Sequence, residues 1–151
     1  MMCWLGKLFG QSGIERPSPS NIVKEENITV DGNKIIISLE NLAIPLTKTP
    51  KVWIPMIPDT NSMDGVFDAG NNNMLISGTC PEDQQLLVSA LVVGDVAVYK
   101  TETMYAIHRI IEMGEDKEGR YFHFKGDNNS GKDPDKVRDN QIQWVSIGVI
   151  Y

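Results

Sequence analysis

Ser62 lies in "IPDTNSMDGVFDAG", residues 57–70, among turn-forming polar residues and just after the apolar-rich stretch Val52 to Ile57. Its hydroxyl is either a turn side chain or a nucleophile served by a base from further along the chain. An unassisted serine attacks poorly at neutral pH, so the second reading needs a proton acceptor within hydrogen-bond reach. The chain holds two histidines, and histidine is the side chain that ordinarily titrates nearest neutrality. His108 sits in "YAIHRII", where strand alternation sends Ala106, His108 and Ile110 to one face and Tyr105, Ile107, Arg109 and Ile111 to the other. An imidazole in so apolar a run is expected to be largely buried, and burial without a hydrogen-bond partner is costly. It is therefore a satisfied core histidine or a catalytic one. His123, in "RYFHFKG", shares its face with Tyr121 and Lys125 and is expected to be solvated.

The acidic segment "KGDNNSGKDPD" invites a calcium reading, which its spacing rejects. With Asp127 as the first loop position, Gly131, Lys132 and Arg138 fall where an EF-hand needs a ligand, a glycine and a glutamate. A turn is the plain alternative, since Asp, Asn, Gly and Pro are turn residues. Cys3 and Cys80 have neither the number nor the spacing of a zinc site or a disulfide framework, and they suit a reducing compartment. No metal and no cofactor is expected. A net charge of -6 without a dense Lys/Arg stripe argues against a nucleic-acid partner.

Short β-branched and aliphatic runs, separated by Gly, Asn, Asp and Pro, must position these groups. They predict a mainly β fold of antiparallel sheets with few short helices. "NITVDGNKIIISL" carries a hairpin signal at Asp31-Gly32, and only "EDQQLLVSALV" reads as a helix. At 151 residues the chain is about one domain long. Residues 1–26 are expected to be an arm and 27–151 the catalytic domain. In the arm, Trp4, Leu5, Leu8 and Phe9 follow helical spacing that suits peripheral membrane contact through residues 1–10, or docking on a protein surface. The apolar stretch is too short to span a bilayer, and the Ser/Pro-rich segment after it is composed like a tether.

Taken in chain order, "TNSMDGVFDAG", "VVGDVAVYK", "YAIHRIIEM", "YFHFKGDNN" followed by Asp133, and "WVSIGVIY" resemble the successive boxes of type I signal peptidases. The likeness is greatest to the archaeal and endoplasmic-reticulum branch, in the superfamily that also holds the self-cleaving SOS-type repressors, and it covers roughly residues 52–151. "IHRII" carries most of it, because bacterial signal peptidases and the repressors place a lysine where this branch places a histidine. The resemblance implies a signal peptidase/SOS-repressor-like β-fold and a serine endopeptidase, a hydrolase of peptide or protein substrates. It makes Ser62 the nucleophile, His108 the general base and Asp133 the orienting acid, with Asp135 as the fallback. Asp127 becomes a supporting carboxylate, and Thr60 a second oxyanion donor beside the serine amide.

Such a Ser-His dyad with an orienting acid agrees with what acyl transfer requires, whatever the chain order of its members. Two positions depart from the family pattern: Gly65 replaces a proline, and Asn71 follows Gly70 where an aspartate is usual. The lack of a spanning segment suits a cytoplasmic or peripherally attached peptidase of the kind phage and other mobile elements encode. A binding or regulatory module that has kept the fold and lost turnover is the alternative. Trp53, Ile54 and Met56 in "KVWIPMI" either line an extended-peptide groove or belong to the core, core being expected for at least two of them. Met63 is assigned with them to substrate contact. Oligomeric state has no signature in the sequence.

Overall fold

A computed structural model describes residues 20–67 and 69–151. The expected helix and tether within residues 1–19 therefore lie outside the described residues. The fold is mainly β, with 40% strand against 11% helix.

A hairpin of β1 (Ile28–Asp31) and β2 (Lys34–Ile37) opens the described chain, with Asp31 paired to Lys34. The turn is thus Gly32-Asn33, one residue beyond the expected Asp31-Gly32. Gly32 has φ +59°, a conformation that costs a residue without a side chain little.

Among the described residues, the other strands form one antiparallel sheet. They are β3 (Lys51–Trp53), β4 (Asn72–Ser77), β5 (Val96–Lys100), β6 (Tyr105–Asp116), β7 (Gly119–Lys125), β8 (Val137–Arg138) and β9 (Ile142–Ile150), in the order β3-β4-β9-β5-β6-β7-β8. The predicted helix is α1 (Pro81–Ser89), begun by a proline whose fixed φ is preset for a first turn. Leu87 and Val88 of α1, with Leu91, pack on Ile76, Ala97, Tyr99, Ile110, Phe122, Phe124 and Val145. A smaller cluster gathers Ile57, Met63, Phe67 and Val96, with Ile107 and Val149 against it. The alternation read in "YAIHRII" holds here, since Ala106 and Ile110 join the first cluster and Ile107 the second.

Two expectations need correction. Ile22 is buried in the main core, and the backbone N–H of Ser20 donates to Asp95 Oδ1 at 2.7 Å. Residues 20–26 therefore belong with the packed domain, not with an arm ending at residue 26: Ile22 is buried, Val23 packs partly against the core, and the Ala43 N–H donates to the Ile22 carbonyl. His123 is buried as well, at 8% exposure. Tyr121 packs edge-on at 5.5 Å from its ring, and the Lys136 ammonium lies 4.1 Å from the Tyr121 centroid. Side chains from the loop after β7 thus cover a face that alternation alone would leave wet. No helix among the described residues is long and apolar enough to cross a membrane.

Candidate active site

β6 delivers the imidazole. Its pairing with β5 sets His108 directly opposite Ala97 and Ala106 directly opposite Tyr99, so Tyr99 and His108 are diagonal neighbours on one face. The two small alanines leave room between them for long side chains to meet. On the other side, β7 pairing begins at Arg109↔Lys125. Among the described residues Tyr105–His108 therefore pair only with β5, and the strand edge beside the imidazole is left to loops.

The loop after β7 supplies the carboxylate. The backbone N–H of Asp133 donates to the Phe124 carbonyl at 2.8 Å, and Asp133 Oδ2 lies 2.7 Å from His108 Nδ1. Tyr99 donates its hydroxyl to the same oxygen at 2.5 Å. Burial pushes the Asp133 carboxyl up, but the hydrogen bonds from His108 and Tyr99 and the nearby His108 charge outweigh it and hold the group below its ordinary range. An ionised carboxylate only accepts, so the Nδ1 that faces it carries a ring proton.

The other half of the site is the turn around Ser62. Asn61 sits at φ +55°, a left-handed conformation that Asn tolerates better than most residues. After the serine, the N–H groups of Val66 and Phe67 return to the Met63 carbonyl. Gly65 has φ +86°, a conformation that a proline fixed near -65° could not adopt. Thr60 Oγ1 and Ser62 Oγ lie 3.1 Å apart. Ser62, Thr60 and His108 line one cleft of about 240 Å³, walled by Ile57, Phe67 and Tyr105. Among the described residues the hydrogen bonds of Ser62 Oγ and of the His108 ring run to Thr60 and to Asp133 and Tyr99, so the alcohol and the imidazole face one cleft without bonding each other.

No family model, curated protein or solved structure matches this chain.

The remaining candidates sort by contact. Asp127 grips the Arg109 guanidinium at two points, Nε to Oδ1 at 2.9 Å and Nη2 to Oδ2 at 2.7 Å, while Nη1 donates to the Gly94 carbonyl at 2.6 Å. It anchors the loop and does not approach the imidazole. Asp135 is exposed and acts on Tyr99 through charge alone, which leaves Asp133 as the carboxylate at His108. Met63 is 3% exposed, and its sulfur accepts the Asp127 N–H at 3.3 Å. It lines the cleft floor chiefly as a packing residue, not as the open contact surface expected of it. Trp53, Ile54 and Met56 are 50, 49 and 70% exposed, against the expectation that at least two would be core; Trp53 ends the edge strand β3, and Ile54 and Met56 follow it. Trp53 and Met56 line a groove of about 470 Å³ that shares Ile57, Pro58, Tyr105, Ala106 and Ile107 with the serine cleft; Ile54 lies outside it.

Tyr99, the grip of Arg109 on Asp127, and the approach of Gly126 and Asn128 to the Ser62 carbonyl were not legible in the sequence. Tyr99 had a signal in the pairing of "VAVYK" with "YAIHRII", but reading it required the register. Among the described residues no group of three His, Cys, Asp or Glu side chains is placed to hold a metal.

Proposed function

We propose that this chain is a serine peptidase of the signal peptidase-like type, with Ser62 as nucleophile, His108 as general base and Asp133 as the acid that orients it. The observation that carries this reading is the 2.7 Å contact between His108 Nδ1 and Asp133 Oδ2 in the wall of the cleft that Ser62 lines. On substrate binding His108 Nε2 closes onto Ser62 Oγ, a tightening common to catalytic hydrogen bonds that are long in the free enzyme. Oγ attacks the peptide carbonyl carbon and its proton passes to Nε2. The oxyanion is met by the Ser62 amide and the Thr60 hydroxyl, each such donor being worth about 3 kcal/mol. The C–N bond then breaks as Nε2 returns the proton to the leaving amine. Water, deprotonated by the same nitrogen, releases the acyl group and restores the serine.

An extended peptide suits the approach to this site. The β6 edge at Tyr105–His108 offers backbone groups for strand addition, and the adjoining groove offers Trp53, Met56 and Trp144 for apolar side chains. A cytoplasmic or peripherally attached enzyme of a phage or other mobile element remains the setting proposed for it. Incubation with a library of unstructured peptides, read by mass spectrometry, tests the reading: the wild type should cut and Ser62→Ala should not.

The alternative, a binding module without turnover, is favoured by one observation, that Ser62 Oγ contacts Thr60 and not His108. Peptides bound and never cut by the wild type would decide for it.

A further inference from the structure

We propose that Tyr99 is a positioning residue of this site, its hydroxyl holding the carboxylate that in turn orients the His108 ring; the proposal rests on the peptidase reading above. Tyr99 OH, His108 Nδ1 and Asp133 Oδ2 form a compact triangle with sides of 2.5, 2.7 and 3.4 Å, both donors converging on one carboxylate oxygen. Asp133 needs such a tether. It lies in a loop without regular structure between Lys125 and Val137 and is followed by Pro134 and the exposed Asp135. Its backbone is tied to the Phe124 carbonyl, and the Tyr99 ring stacks on Phe124 at 4.3 Å with an interplanar angle of 27°. One β7 residue therefore sets the height of both the carboxylate and the phenol.

The phenol has a second effect, on charge. Burial, the hydrogen bond and charge of Asp133 and the charge of Asp135 all push its ionisation far above the ordinary range, so it stays protonated and donates permanently. That donation takes up part of the charge on Oδ2 that would otherwise act on the imidazole alone. Among the described residues the neighbouring charged groups do not bond this pair: Asp135 acts on Tyr99 through charge alone. Arg109, next to His108 on β6, projects to the opposite face and is held by Asp127 and Gly94, while β5 and β9 contribute Ala97 and Ile142, which do not titrate.

Tyr99→Phe isolates the hydroxyl, because the ring and its stacking on Phe124 are kept. The expected result is a kcat lower by about 10- to 100-fold, the scale of one hydrogen bond to a charged group, with KM little changed. The acid limb of the kcat/KM profile should move to higher pH, since a carboxylate freed of the phenol holds the imidazole proton more tightly. In an Asp133→Asn background the same substitution should add little.

A second readout needs no turnover. The chain has two histidines, so NMR titration of both rings in wild type and Tyr99→Phe assigns the effect directly. The His108 midpoint should rise and that of His123 stay put. Unaltered kcat, acid limb and His108 titration in Tyr99→Phe would overturn the proposal. A wild type that cuts no peptide would sink the peptidase reading, and the NMR comparison would still decide whether the phenol acts on the His108 and Asp133 pair.

Discussion

The backbone N–H of Asn128 donates to the carbonyl of Ser62 at 2.9 Å. The Asn128 side chain donates to the Asn61 carbonyl at 2.8 Å, so one residue fixes the turn on both sides of the hydroxyl. Five residues later the same loop presents Asp133 to His108. A single segment, 126–133, thus sets the spacing between the two halves of the site, and it is itself clamped to β6 through Asp127 and Arg109.

Gly126 marks how closely loop and turn approach. A Cβ there would stand 2.5 Å from the Ser62 carbonyl oxygen and 2.7 Å from Asn129 Nδ2. Gly126→Ala should push the serine backbone off its position, with a stability loss of about 1–3 kcal/mol from overpacking. Its peptidase activity should fall further than that loss explains under conditions where the variant remains folded, as kinetics beside thermal melts would show.

The Asp127–Arg109 pair is nearly out of solvent, with side chains 6% and 11% exposed. Removing one partner of a buried pair strands the other, at a cost of about 3–5 kcal/mol. Asp127→Asn should therefore lower the denaturant midpoint sharply. Asp127→Leu combined with Arg109→Met should recover much of the loss, because neither charge is then left alone. A double variant no more stable than Asp127→Asn would contradict this.

Asp133 and Asp135 differ by two positions and by everything that surrounds them. Asp133→Asn removes the acceptor that sets the His108 tautomer, and by the precedent of other triads kcat should drop about 10³- to 10⁴-fold. Asp135→Asn touches no hydrogen bond to the ring and should leave kcat close to that of the wild type. Steady-state kinetics on the two variants separate the roles.

How much of this was legible in the chain depended on whether the signal was local. The α1 helix, the strands and the two-sided character of β6 follow from periodicity within a few residues. The hairpin turn fell one residue away because glycine is acceptable at either central position, and cross-strand pairing decided between them. His123 was misread because the loop bearing Lys136 folds back over Tyr121 on the same face, which alternation within β7 cannot reveal. The pairing of Asp133 with His108 came from a likeness of motifs and not from spacing, since 25 residues and a strand reversal separate them. Tyr99 needed the β5–β6 register, and Asn128 needed the loop to fold back on Ser62.

The pH dependence has two parts with the same sign. With His108 as the base, kcat/KM should fall on acidification as the imidazole takes up a proton, whereas a lysine base would place that limb above about pH 8. Stability should hold to lower pH. Asp116, bonded by Arg138 and Lys136, and Asp133 both have folded-state ionisation below the ordinary value. Their contribution is complete above the unfolded carboxylate range, about pH 4, and is lost as the pH falls below it. Between these windows the chain should be folded and slow, which circular dichroism and kinetics at matched pH would check.

The claim that Ser62 is a nucleophile activated by His108 is tested most directly by reaction with a fluorophosphonate, read by intact mass and peptide mapping. One adduct on Ser62 is expected in the wild type, lost in Ser62→Ala and strongly slowed in His108→Ala. A wild type that stays unlabelled from acid to alkaline pH, or an adduct that forms as fast in His108→Ala, would contradict it.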